Sequence, residues 1–291
     1  ASDVYKRQVW DNIGEVENKG VDFMLNTVNI ENKDFRWEST LNFNYNKNTI
    51  LKLGDNNEDI IMGPDIQGGN TILRVGESLG SFYGYVRYGT WGTDEAEEAA
   101  KVNAIPGEAK RSSERYIIGN GMPKWTGSFI NKFYYKNWDF TLDLQFVGGV
   151  DVMQQFTHTM EDRTGIANGL KSILYDSWTE QNQNTMVQQI RQQSYAGQNT
   201  MADSHWVCNG SYLRGNLIQL GYTFNNTLMK KLKTRSLRVY FSVNNAFVIC
   251  SKDFKGYDPE GTTYNDKFSQ NIMSFEYPSA RTYTLGVNFM F

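Results

Sequence analysis

The chain has 291 residues with 29 basic and 32 acidic side chains, a net charge of −3 that gives no general attraction to nucleic acid. Its mean hydropathy is −0.55 and it has no run of eighteen apolar residues, so no helix of this sequence spans a bilayer. Aromatic residues make up 14% of the chain and 26 glycines stand against 5 prolines, a balance that suits strands and tight turns. The basic cluster Lys230, Lys231, Lys233 and Arg235 is short and lacks interleaved base-stacking rings, so no nucleic-acid partner is expected. Residues 1–8 show no pattern continuous with the segments after them, and the chain has neither an initiating Met nor a leader pattern. Residues 1–291 are therefore read as one undivided domain fragment whose residues 1–8 are foreign.

Period-two segments succeed one another along the chain. Residues 14–28 set Val21, Phe23 and Leu25 against Asp22, Met24 and Asn26. Residues 35–46 set Phe35, Trp37, Leu41, Phe43 and Tyr45 against Arg36, Glu38, Thr40, Asn42 and Asn44. A weaker strand is predicted over 70–75 and a Tyr-rich one over 81–91. Residues 125–135 and 138–147 predict a hairpin, the second strand showing Phe140, Leu142, Leu144 and Phe146 against Asp139, Thr141, Asp143 and Gln145. Strands over 212–224 and 237–247 come next. The last, 280–291, puts Tyr283, Leu285, Val287, Phe289 and Phe291 on one face and Thr282, Thr284, Gly286 and Asn288 on the other.

The connections between these strands alternate in length. Short ones fall at 31–34, 77–80, 136–137 and 225–234; long ones at 51–69, 92–124, 148–211 and 248–279. Connections past about fifteen residues are uncommon in compact domains. Outer-membrane barrels keep theirs at one end, with short periplasmic turns and long extracellular loops. With a last strand that ends in the periplasm, nine strands place every short turn on the periplasmic side. The predicted fold is all-β: an antiparallel transmembrane β-barrel, of which this is an arc of about nine strands. An even-stranded bacterial barrel needs more, and an open edge in lipid leaves backbone groups unpaired, so further strands are expected before residue 1. A secreted β-sandwich that binds carbohydrate remains the alternative, since it too has alternating strands and aromatic, acidic loops.

Within a barrel, Arg36, Glu38, Asp139, Asp143, Arg214, Arg238 and Arg281 are lumen-facing charges, because a charge turned to lipid costs about 2–4 kcal/mol at the midplane. Trp37, Trp125, Trp138 and the tyrosines of 81–91 are candidates for interfacial girdles. Tyr283, Leu285, Val287, Phe289 and Phe291 form the membrane-inserting face of the terminal strand. Ligand contact is assigned to loop aromatics, Tyr175, Trp178, Tyr195 and Trp206, beside the Gln- and Asn-rich stretch 181–198; the same residues suit packing against a lid. Residues 165–190 are expected to hold a short helix over the mouth. Asp94, Glu95, Glu97 and Glu98 lack the regular spacing of a calcium loop, so no cofactor or metal is assigned and a solvated acidic turn is the default over a bound cation. Cys208 and Cys250 are left open as a disulfide, since sequence does not give their separation. His158 and His205 stand isolated in loop sequence, and no nucleophile elbow or metal-ligand spacing occurs, so no enzyme is expected.

Several stretches together carry a resemblance. They are Glu17-Asn18-Lys19-Gly20-Val21-Asp22-Phe23, Val75-Gly76-Glu77-Ser78-Leu79-Gly80-Ser81-Phe82-Tyr83-Gly84-Tyr85, and Ile118-Gly119-Asn120 before Pro123-Lys124-Trp125. Gly210-Ser211-Tyr212-Leu213-Arg214, Gly256-Tyr257-Asp258-Pro259-Glu260 and Tyr277-Pro278-Ser279-Ala280-Arg281 continue them in order. The chain resembles the C-terminal β-barrel part of SusC/RagA-type TonB-dependent outer-membrane receptors of the Bacteroidetes. Gly215-Asn216-Leu217 and Asn245-Ala246-Phe247 depart from that pattern without disturbing the barrel. The resemblance implies a barrel of about 22 strands in the bacterial outer membrane. It also implies nutrient uptake, the transport of a glycan or peptide. A SusD-like lipoprotein at the extracellular mouth, outer-membrane lipid and the TonB complex are its implied partners. TonB would act through a plug N-terminal to this sequence.

Overall fold

A computed structural model describes residues 14–63, 70–162, 168–191, 201–225, 227, 229, 234–261 and 269–291. The strands in chain order are β1 (Gly14–Glu31), β2 (Phe35–Leu53), β3 (Ile60–Met62), β4 (Thr71–Leu73), β5 (Ser81–Thr90), β6 (Ala109–Asn120) and β7 (Trp125–Tyr135). They continue as β8 (Trp138–Gly148), β9 (Asp151–Gln154), β10 (Val207–Asn209), β11 (Tyr212–Thr223), β12 (Ser236–Cys250), β13 (Ile272–Met273) and β14 (Thr282–Met290). The short helices α1 (Ala96–Lys101) and α2 (Ser172–Asp176) are among the elements that lie between them.

Seven long strands form one antiparallel sheet in the order β1-β2-β7-β8-β11-β12-β14. Each wall strand pairs with the next one along the chain, the meander of an up-and-down barrel. The register aligns like with like. One row crosses all seven strands as Ile30, Trp37, Phe133, Phe140, Leu220, Phe241 and Leu285. A row on the opposite face runs Glu38, Lys132, Thr141, Gln219, Ser242 and Thr284. Side chains alternate along a strand, so strands paired in this register make one mainly apolar face and one mainly polar face.

The apolar face is bare. Phe23 is 48% exposed, Leu220 45%, Phe241 46% and Leu285 76%, whereas the buried core clusters draw on the connections and on the upper end of β2. A sandwich would bury this stripe between its sheets. The β-sandwich alternative is therefore set aside: the face that should form a dry interior lies open. Aromatic rings mark both edges of the band. Trp125 and Tyr45 sit at the upper end of β7 and β2, and Trp37, Tyr135, Trp138 and Tyr222 at the lower end. Ten residues of tilted strand separate Trp125 from Tyr135, roughly 25 Å of membrane thickness. Trp125 lies across Gly148, where a Cβ would collide with its indole, so the glycine is required by the ring above it.

One polar row interrupts the apolar face. Ser39 Oγ and Trp37 Nε1 both donate to Asn131 Oδ1, at 2.8 and 3.0 Å, and Asn29 Nδ2 donates to Ser39 Oγ at 2.7 Å. In lipid such groups must find partners within the protein, and these do.

Among the described residues seven strands form the wall, where about nine were expected. Residues 70–75 and 81–91 do not belong to the wall; β4 and β5 pair with β3 and β6 in a separate four-stranded sheet. The tyrosines of 81–91 are thus no membrane girdle; the Tyr83 ring lies under the Arg74 and Arg115 guanidinia. The alternation of connections survives, with short ones at 32–34, 136–137 and 224–235 and long ones at 54–124, 149–211 and 251–281.

Candidate functional site

The three long connections fold together at one end of the wall as a cap. In the first, the stretch Val75 to Tyr85 is fixed on β2: Ile50 N–H donates to the Glu77 carbonyl and Leu79 N–H to Asn48 Oδ1, both at 2.8 Å. Gly84 has no Cβ because the Ala202 carbonyl of the second connection lies against it, which lets Tyr85 N–H donate to that carbonyl at 3.0 Å. A three-stranded sheet, β10-β9-β13, then joins the second connection to the third.

Charge completes the union. Arg87 of β5 is buried, and its guanidinium forks onto Asp162 with Nη1 to Oδ1 at 3.0 Å and Nη2 to Oδ2 at 2.6 Å. Its Nε donates to Asp203 Oδ2 at 2.7 Å, an oxygen that Arg111 Nε also reaches at 2.6 Å. Gln188 Nε2 and Trp206 Nε1 supply further donors to Asp162, at 3.0 and 2.7 Å. Burial alone would lower the Arg87 pKa, but the two carboxylates raise it, and the guanidinium stays charged.

A second buried carboxylate joins the second and third connections. Glu161 accepts from Lys255 Nζ at 2.8 Å and from Ser172 Oγ, and lies 2.5 Å from His205 Nε2. Burial pushes its pKa up, but the His205 hydrogen bond and the Lys255 charge win and hold it at about 2. A carboxylate lowered from 4.5 to about 2 stabilises the folded cap fully above pH 4.5 and loses that contribution as pH falls toward 2. Amide exchange in residues 158–162 and 168–176 is therefore expected to accelerate as pH drops through that window, after correction for intrinsic rates. Glu161→Gln should flatten the step, and an equal step in that variant would refute the assignment.

At the rim, Arg214 Nη2 of β11 meets Asp258 Oδ1 at 2.6 Å and Glu260 Oε2 at 3.0 Å. Two stretches that carried the family resemblance, around Tyr212 and around Gly256, thus meet in one ion cluster.

The predicted site residues separate. Trp206 is fully buried in the core cluster with Phe82, Met153 and Ile272, and Trp178 is buried as well, so neither offers a face to a ligand. Tyr175 is 70% exposed on α2, within the region where a short helix was expected. Tyr195, most of the Gln- and Asn-rich stretch, residues 1–8, and Lys230, Lys231 and Lys233 lie outside the described residues. Arg36, Glu38, Asp139, Asp143 and Arg238 share the polar face, where Arg36 pairs with Glu31 and Glu38 and Arg238 with Asp139; Asn216 donates to Asp143. Among the acidic residues of the first connection, Glu95 is engaged by Lys110 and by Gly92 N–H. Among the described residues no group of His, Cys, Asp and Glu is placed to hold a metal. Cys208 and Cys250 are free thiols; burial, then Asp253 and Asp151, pushes Cys208 up to about 12. His205 is not isolated, as the sequence suggested, but is part of the Glu161 cluster, and the His158 ring lies tilted against Trp206, with centroids 5.6 Å apart.

Two cavities open beside this scaffold. One, of about 400 Å³, lies between the second and third connections and is lined by Phe156, Met160, Leu170, Met273 and Phe275. The other, of about 570 Å³, holds His205, Asn209, Lys252 and Asp253, and Lys255 lines both.

No family model matches the chain. It is 32% identical to TonB-dependent receptor P3 of Formosa agariphila over 96% of its length, and 30% identical to TonB-dependent receptor SusC of Bacteroides thetaiotaomicron over 99%. The chain spans only 29% and 28% of those two receptors. Among solved structures, the RagAB peptide transporter superposes with a TM-score of 0.72 at 25% identity, over 96% of this chain and 30% of the other. With a meander sheet whose bare apolar face is banded by aromatics, long loops gathered at one end, and relatives of one kind along nearly its whole length, the chain belongs to the SusC/RagA family of TonB-dependent outer-membrane receptors as part of their β-barrel.

Proposed function

We propose that this chain supplies wall and mouth to an importer that carries a bulky nutrient, an oligosaccharide or a peptide, across the outer membrane. TonB acts on it through a plug held elsewhere in the receptor, and a SusD-like lipoprotein closes the mouth. The chain itself has no catalytic role. What supports this reading most is the two-faced wall: an unbroken apolar row over seven strands, suited to lipid, lies opposite a face that carries Glu38, Asp139, Asp143 and Arg238, suited to a watery lumen. The receptor and transporter names of the relatives point the same way.

Deleting the gene for the full receptor is expected to abolish energised accumulation of a labelled peptide or oligosaccharide by the parent bacterium. Deleting TonB should do the same, and the purified receptor should bring a lipoprotein with it through detergent. Uptake of every bulky probe unchanged in both deletions would overturn the reading.

A further inference from the structure

We propose that the cavity of about 400 Å³ between the second and third connections is a specificity pocket for one apolar side chain of a peptide ligand. This deepens the import reading and rests on it. The volume falls in the range of ligand sites, and the walls are a built feature. Phe156, Met160 and Leu170 come from the second connection, Met273 and Phe275 from the third. Lys255 clamps the two together through Glu161. Arg214 fixes Asp258 at the edge of the cavity, and Arg214 stands on the polar face of the wall in register with Gln145. That edge of the cavity is therefore tied to the polar face of the wall, the side on which the import reading passes cargo.

The chemistry of the lining selects the ligand class. A sugar buried here would bring several hydroxyls, each losing about 1–3 kcal/mol if left without a partner. The charged groups at the wall are already engaged, Lys255 by Glu161 and Asp258 by Arg214, and Ser274 and Glu276 are engaged as well. A leucine or phenylalanine side chain asks only for apolar contact, and Met160 and Met273 supply unbranched walls that adapt to either shape. Across Lys255 the polar cavity with Asn209 and Lys252 offers partners to the carbonyls of a flanking peptide backbone. Three rings at the rim stand in water, Tyr257 at 80% exposure, Phe275 at 61% and Tyr277 at 97%, available to close over an occupant. A docked lid would instead cover a broad patch, about 800 Å² on each partner, which a concave slot does not provide.

The test uses the full receptor with its lipoprotein, in detergent, and a series of blocked heptapeptides identical except for a central Gly, Ser, Leu or Phe. Binding by calorimetry is expected to tighten about tenfold or more from Gly to Leu and Phe. Tyr257→Ala and Phe275→Ala, both at exposed positions, should shrink that spread. Peptides that bind with no dependence on the central residue would overturn the pocket while leaving import intact. Binding of an oligosaccharide of similar size with no peptide binding would overturn it too. Loss of lipoprotein from the two variants with the side-chain dependence unchanged would reassign the rings to lid docking. The wild-type series decides the matter even if a variant fails to assemble. Failure of the import reading is separate: it would show as normal uptake in the receptor and TonB deletions.

Discussion

Arg87→Met is expected to release the cap and leave the wall in place. The substitution takes one guanidinium from between Asp162 and Asp203, two carboxylates with fully buried side chains, and leaves Arg111, Gln188, Trp206 and the His205 N–H as their remaining donors. Removing one partner of a buried ion cluster costs about 3–5 kcal/mol, because the surviving charge stays desolvated. The loss should be local. Arg87 and Arg111 sit in the first connection and Asp162 and Asp203 in the second, whereas the wall is held by its own ladder of strand pairs. In the full receptor, exchange of cap amides such as Tyr85 N–H, bonded to the Ala202 carbonyl, should rise by about two to four orders of magnitude. The heat-dependent gel mobility of the barrel should not change. Replacing Arg87, Asp162 and Asp203 together by apolar residues of similar size should recover much of the loss, since an apolar trio leaves no charge buried. Unchanged exchange in Arg87→Met would show that the cap is held by its apolar clusters alone.

The wall was legible in sequence because lipid and water impose opposite demands on neighbouring residues, and a strand writes both demands into a period of two. The predicted segments 125–135 and 138–147 match β7 and β8 to within one residue, and the terminal apolar face of Tyr283, Leu285, Val287 and Phe289 lies in β14 and is exposed. The 81–91 segment misled for the same reason. Its alternation is real, but Phe82 points into a protein core and Arg87 into an ion cluster, so its two faces meet two kinds of protein interior and neither meets lipid. Period alone does not tell protein from acyl chains.

The cap was hardly legible. Arg87 finds its partners 75 and 116 residues along the chain, a separation that leaves no local pattern. Trp206 read as a ligand-binding ring because it sat in a long connection; its indole N–H is bound by Asp162 inside the core. A loop of that length suggested exposure, yet this one shares a core with the other two connections through Phe82 and Ile272. The signal that did exist was the glycine in Tyr83-Gly84-Tyr85, whose missing Cβ admits the second connection, and the Asp203-Ser204-His205 run, in which the Asp203 carboxylate accepts His205 N–H at 3.0 Å as a helix cap does.

The orientation of the wall can be tested on one strand with two adjacent residues. Ile218 and Gln219 stand near the middle of β11 and point to opposite faces. Ile218 pairs with Leu142 and Val243 in the apolar face, and Gln219 with Thr141 and Ser242 in the polar one. Ile218→Arg in the full receptor places a charge among acyl chains near the bilayer midplane, at a cost of about 2–4 kcal/mol. Gln219→Arg meets water and neutral neighbours, and Asp139 and Asp143 share its face, so little stability should be lost. Refolded into lipid, the first variant is expected to shift its urea midpoint well below wild type and the second to stay near it. The reverse order would mean that the apolar face looks inward, and the barrel reading would fall with it. Equal small shifts would mean that both faces of β11 stand in water, and equal large ones that both are buried. A large shift confined to Ile218→Arg is the result that acyl chains on one side of the strand and water on the other require.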